Sequence, residues 1–349
     1  IVQAEVPERA IAKGKAESGL LAHILVQKYC NHLPYYRQSE IYGRDENVKL
    51  SRSTMASWGG QCARLLDMVV DEIKKEIFSS SHIHGDDTTL KVLAPGNGKT
   101  KTARLWAYAR NGKNYNSNIP PAICYFYSPD RKGIRPQLHL ENFKGIFHAD
   151  AYSGYDGLYG DDIIESACWA HTRRKFYEVT VTNDKANIAN EILIRIGEIY
   201  KIEEDIRNNP PDKRLEIRQK KSQSLIDDLF KRLKYLKNKL PAKSITAKAI
   251  SYALNNEEAL CRFLLDGKIE IDNNIAENAM RPIALGRKNY LFAGSDNGGQ
   301  TAANIYTIIE TCKINNINPQ KYLTKILSVI QEYKVRDIVD LLPWNINLA

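Results

Sequence analysis

Three acids in this chain stand where a carboxylate could do chemistry. Asp86 lies in HIHGDDTT, inside a run rich in β-branched residues. Asp150 ends a second such run, GIFHADAYSGYD, and Glu277 lies in IDNNIAENAMRPIALGRKNYLFAGS, just ahead of a basic tract. An apolar strand that ends in an acid presents its carboxylate at the rim of a sheet, where ligands gather in open α/β folds. Either aspartate alone reads equally well as a turn-capping residue. Two strand-borne aspartates and a helix-borne glutamate favour a shared metal site instead. The chemistry that suits such a set is phosphodiester cleavage. Two Mg2+ (or Mn2+) ions roughly 3.5–4 Å apart activate a water and stabilise charge on the leaving oxygen. Mg2+ prefers hard oxygen ligands and keeps some waters, so a few carboxylates and DNA phosphates suffice. Without metal, clustered acids repel and raise one another's pKa.

Bases lie beside these acids in sequence. Arg281, Arg287 and Lys288 follow Glu277, and Arg173, Arg174 and Lys175 sit in CWAHTRRKF. As phosphate contacts they would position DNA without reading its sequence. The competing account is a solvated helix face, with Glu277 and Arg281 forming an ordinary i,i+4 pair. Cys168-x-x-His171 has metal-ligand spacing but supplies two of the four ligands of a structural zinc, so packing is the favoured account of that pair. GNGKT at 96–100 lacks the first glycine of a phosphate loop and precedes a strand, which rules that motif out. The formal net charge of +9 favours an anionic partner, nucleic acid first. No apolar run nears the ~18–20 residues of a membrane helix, which points away from a membrane. The first residues lack signal-peptide order, and Ile1 reads as an internal start. Six scattered cysteines without C-x-x-C pairs suit reduced thiols in a cytoplasmic protein.

The elements that must carry these residues fall into five stretches. Residues 1–78 are expected to be helical after an extended lead-in over 1–15. A helix follows Ser18, a second spans Tyr35–Tyr42 and ends at Gly43, and a third is capped by Ser51 or Ser53. The third carries one continuous stripe, Trp58, Cys62, Leu65, Val69, Ile73 and Ile77. The three suit a helix-turn-helix or a plain bundle, and the sequence leaves both open. Residues 79–179 hold short strands, HIHGDDTTLKVL, ARLWAYAR, AICYFYS, KGIFHADAY and IIESACWA, with brief helix at Leu140–Phe143 and a basic helix after the last strand. Residues 180–270 carry helical signals only; between Lys201 and Leu240, 12 Lys/Arg face 7 Asp/Glu. Residues 271–333 return to the acid-bearing fold with a helix over Ile275–Leu285, in which Pro282 predicts a kink or a nearby end. Residues 334–349 form a tail.

Several motifs together resemble the IS66-type insertion-sequence transposases. The run D-N-N-x-A-E-N-A-x-R-P…G-R-K-N-Y-L-F-A-G-S is similar to their C-terminal catalytic signature, HGDDTT to their D-E-T motif, HADAYSGYD to D-G-Y-x-x-Y and CWAHTRRKF to C-W-A-H-x-R-R-K-F. LPYYR, LSRST and LLPWN extend the likeness along nearly the whole chain. Asp87 stands where the family typically has Glu, and Ala151 where it has Gly. The resemblance implies an α/β, ribonuclease-H-like catalytic domain interrupted by a helical insertion. Its DDE triad would be Asp86, Asp150 and Glu277, with Asp87 the weaker metal candidate. It further implies cleavage at the ends of a mobile element and strand transfer into target DNA. The partners would be double-stranded DNA, a second copy of the chain in the DNA complex and accessory proteins of the element, in the bacterial cytoplasm at the nucleoid. Two rivals are a ribonuclease-H-like nuclease or resolvase without strand transfer, which the insertion argues against, and an inactive DNA-binding relic, which the intact acids argue against.

Overall fold

A computed structural model describes residues 9–12, 14–182 and 187–348; part of the expected extended lead-in, residues 1–8 and 13, lies outside them. Four helices come first: α1 (Ser18–Tyr29), α2 (Tyr35–Asp45), α3 (Arg52–Leu65) and α4 (Asp67–Phe78). Ser51 caps α3 by accepting from the Thr54 amide at 3.1 Å. The stripe expected on one helix is divided between α3 and α4, because a distant residue intervenes. Asn304 donates to the Ala63 carbonyl at 3.4 Å and also to the Asp67 carboxylate. Ala63 O is the acceptor that an unbroken helix would offer to the Asp67 amide. Gly43 does not end α2, which runs on to Asp45.

Strands follow: β1 (His82–Val92), β2 (Lys101–Arg110), β3 (Ala122–Ser128), β4 (Gly145–Ala149) and β5 (Ile163–Ala167). The sheet order is β3-β2-β1-β4-β5, antiparallel from β1 to β3 and parallel from β1 through β4 to β5. This is a mixed α/β fold. The helix expected at Leu140–Phe143 lies earlier, as α5 (Ile134–His139). Asp130 fixes it there, accepting from the Lys132 amide at 3.1 Å and from Arg135 at 3.0 Å. Gly85 has a steric reason to be glycine. A Cβ there would lie 2.3 Å from the Phe147 ring of β4.

After β5 the chain becomes helical: α6 (Trp169–Thr182), α7 (Asn187–Asp205), α8 (Pro211–Ile217), α9 (Gln223–Lys237), α10 (Ile245–Asn255) and α11 (Glu257–Cys261). These helices enclose their own apolar core, which includes Trp169, Phe176, Ile196, Leu229 and Phe263. The block leaves and re-enters the sheet through a narrow neck. The Trp169 amide donates to the Ile271 carbonyl at 3.1 Å, and the Asn273 amide to Cys168 Sγ at 3.1 Å.

Three long helices complete the chain: α12 (Asn274–Tyr290), α13 (Asp296–Ile314) and α14 (Pro319–Val329). Pro282 neither ends nor delimits α12, because contacts with the sheet carry the helix past it. Tyr125 donates to the Ala279 carbonyl at 2.7 Å, and Arg287 to the Thr89 carbonyl at 2.7 Å. On α13, Thr307 accepts from the Tyr125 amide, and Thr311 both accepts from and donates to the Ile123 backbone. The sheet, α1, α3, α4, α12, α13 and α14 share one large core. Among the described residues no helix is long and apolar enough to cross a membrane.

Candidate functional site

The register of β1 and β4 brings two of the acids side by side. Ile83 pairs with Phe147 and His84 with His148. Two residues further on, and on the same face, stand Asp86 within β1 and Asp150 just past the end of β4. Beneath them the rings of His84 and His148 stack at 5.0 Å. Burial, then the neighbouring His84, holds His148 well below the usual imidazole range. The imidazole is therefore neutral and adds no charge under the acids.

Asn273 fastens α12 to this rim. Fully buried, it donates from Nδ2 to the Gly85 carbonyl at 2.8 Å and pairs through Oδ1 with His84 Nδ1 at 3.1 Å. Its carbonyl accepts from the Glu277 amide at 3.1 Å, which sets the first turn of the helix. Glu277 thus faces the rim from α12, and the i,i+4 pair with Arg281 does not form. Its carboxylate lies 3.5 Å from His171 Nδ1 and 3.6 Å from an Arg174 nitrogen.

Asp86 senses the acids around it. Burial, then Asp150, Asp87 and Glu277, pushes Asp86 up to about 7, against a hydrogen bond from the Asp87 amide at 2.7 Å. Burial raises Asp150 as well, opposed by the nearby His171 and Arg131. Such clustered, under-compensated carboxylates mark candidate functional sites. Asp87 differs. Its buried side chain points to the other face of β1 and is held by Arg104 and by Arg131 at 2.7 Å. A metal could take Asp87 only by breaking both ion pairs.

The two aspartates offer hard oxygen donors of the kind a divalent cation takes, while Glu277 Oε1, buried without a hydrogen bond, faces His171 Nδ1 at 3.5 Å.

The basic residues are spread unevenly. Arg173, Arg174 and Lys175 are exposed on α6, and Arg281 and Lys288 are exposed on α12. Arg173 and Arg174 line a cavity of about 580 Å³ with Tyr177, Tyr200, Asp272 and Asn274. Arg287 is half-buried and is engaged with Thr89. Sequence reasoning set His171 aside with Cys168 and did not single out Asn273. The Cys-x-x-His spacing pointed to the first. Nothing local to Asn273 distinguishes it from a helix cap.

A family model described as "Transposase IS66 family" matches residues 13–301, and one described as "IS66 C-terminal element" matches residues 307–344. The uncharacterized protein y4qI of Sinorhizobium fredii is 41% identical over 99% of this chain, and y4hP of the same organism is 36% identical over 99%. The chain spans 65% of the length of each. A third relative there, the uncharacterized protein y4jD, is 34% identical over 99% of the chain, which covers 69% of it.

Proposed function

The chain belongs to the IS66 transposase family, and from that premise we propose that it carries the catalytic centre of a DDE transposase with a ribonuclease-H-like sheet. The strand order and directions support that fold reading. The observation that carries the site is that burial first, and the neighbouring Asp150, Asp87 and Glu277 after it, raise Asp86 to about 7. Such a cluster is poised to exchange protons for a divalent cation.

In this reading Asp86, Asp150 and Glu277 hold the metal, with Mg2+ the intended ion and Mn2+ a substitute. When bound, the metal supplies an activated water and stabilises charge on the leaving 3′ oxygen. The chain's own residues prepare that geometry. The Asp87 amide orients Asp86, and Asn273 keeps the Glu277 helix against β1. Arg104 and Arg131 keep Asp87 out of the metal's reach. The exposed Arg173, Arg174, Lys175, Arg281 and Lys288 contact DNA phosphates, with Arg287 contributing from its seat on Thr89. The substrates are double-stranded element ends and target DNA in the bacterial cytoplasm, gripped by a homo-oligomer with accessory proteins of the element. Residues 180–270 form an inserted helical subdomain that serves DNA or a second protomer. The N-terminal helices, residues 1–78, precede the catalytic part.

The test incubates purified protein with element-end DNA and Mg2+. Joined products are expected. Cut but unjoined DNA would indicate a nuclease or resolvase, and binding alone an inactive relic. A folded variant with residues 185–265 replaced by a short Gly/Ser linker should still nick short DNA but lose paired-end joining. Unchanged joining would overturn the role given to the insertion.

A further inference from the structure

The Cys168-x-x-His171 pair lacks a third ligand in sequence, and the fold supplies one. One ligand atom each from Cys168, His171 and Glu277 can be chosen so that all lie within 4.8 Å of one another. Cys168 lies between β5 and α6, His171 in the first turn of α6, and Glu277 comes from α12. The neck of the helical block brings all three together.

We propose that Cys168, His171 and Glu277 form a site for a thiophilic divalent cation of the zinc class, distinct from the all-oxygen site at the two aspartates. Three features support it. The donor set of thiolate, imidazole and carboxylate is the one that tetrahedral zinc accepts, with a fourth position left to water or phosphate. His171 Nδ1 and Glu277 Oε1 are buried without a hydrogen bond and face each other at 3.5 Å, a gap that an ion between them would bridge, although they belong to residues that are partly open. Cys168 Sγ accepts the Asn273 amide at 3.1 Å, an N–H···S bond of the kind that steadies a metal thiolate.

The two sites compete, because both need Glu277. A zinc-class ion draws that carboxylate toward the Cys168 side and away from Asp86 and Asp150. The ion therefore inhibits Mg2+-supported nicking. The inhibition rests on the catalytic reading of Glu277, whereas the binding does not.

The experiment titrates the reduced, EDTA-stripped full chain with Co2+ alone. A thiolate-to-cobalt charge-transfer band should saturate at one ion per chain, with the strong visible absorbance of tetrahedral cobalt, and Zn2+ should abolish both. Cys168→Ser should lose the band, Cys261→Ser should keep it, and His171→Ala should weaken binding tenfold or more. A measurement on the parental protein covers the case of an unfolded Cys168→Ser: Zn2+ should slow alkylation of Cys168 at least tenfold relative to Mg2+. No charge-transfer band, a band that survives Cys168→Ser, or equal alkylation in the two metals overturns the site. In nicking assays, Zn2+ should inhibit the parental protein at concentrations at least tenfold lower than Cys168→Ser requires. Equal inhibition of both would refute the competition while the cobalt spectrum decides the binding on its own.

Discussion

Two clusters of charge withdrawn from solvent, one buried in the helical block and one half-buried at the sheet rim, are built on opposite terms. In the helical block, Glu203 receives Arg218 through two bonds of 2.8 and 2.6 Å and has Arg214 at 3.5 Å, while Arg214 also reaches Glu270 at 2.9 Å. Arg218 spends a further nitrogen on the Phe263 and Asp266 carbonyls. At the sheet rim, Asp86 feels Asp150, Asp87 and Glu277, and the Arg131 and Arg174 guanidinium groups and the His171 ring only flank these acids. Buried charges are paired where their task is to hold a fold. Where they are left short of partners, the missing charge is to come from outside, as metal or substrate. The contrast separates structure from chemistry without reference to any motif.

The strongest way to break that contrast is to remove charge from the rim. Asp150→Asn should lower metal-dependent nicking by about 10³-fold or more while leaving duplex binding near the parental level, as removal of one member of a cooperating catalytic set does. Nicking and a binding titration on the same preparation check it. Loss of both would reassign Asp150 to folding.

In the helical block the same kind of change should cost stability instead. Glu203→Ala leaves Arg214 and Arg218 buried without their shared partner, and should destabilise by about 3–5 kcal/mol in urea unfolding. A variant as stable as the parent would mean that this cluster, too, is uncompensated.

Acidity sharpens the comparison. The folded protein keeps a proton on Asp86 up to about 7, whereas the unfolded chain releases it near the ordinary value of 3.8. Between these limits the unfolded state binds fewer protons, so the metal-free protein loses stability as pH rises, by on the order of 4 kcal/mol at most. Thermal unfolding across that window should show the loss, and Asp86→Asn or added Mg2+ should flatten it. Asp266, lowered to about 2 chiefly by its bond to His82, acts the other way. Its contribution is present above the ordinary value and disappears as pH falls toward 2.

The smallest effects belong to the exposed bases. Arg281→Ala and Lys288→Ala should each reduce the salt slope of log K on duplex DNA by about 0.9. Arg287→Ala should in addition lower stability, because it removes the hold on Thr89.

Much of this was legible from residues. The strands could be read because β-branched and aromatic residues cluster between turn formers, and the places of Asp86 and Asp150 on the sheet because they lie within or at the end of those runs. What escaped the sequence depends on partners far along the chain. Nothing near Leu66 signals that Asn304 will capture the Ala63 carbonyl and divide a helix. Pro282 predicted a disruption that Tyr125 and Arg287 prevent. Asn273 looks like any cap until Gly85 and His84 meet it.

The neck between Trp169 and Ile271 has an evolutionary consequence. At the neck the helical block departs and returns across one backbone hydrogen bond. It meets the sheet side again where the Asn208 amide reaches the Asn114 carbonyl, Arg262 the Glu165 carbonyl and Asp266 His82, so the length of its outer part bears little on the sheet. Doubling such an excursion adds only about 0.6 kcal/mol of closure entropy. Descendants could therefore lengthen, prune or exchange the block while the rim keeps its geometry. Variation in size among relatives should concentrate between these two residues, and the seam itself should be the part that tolerates change least.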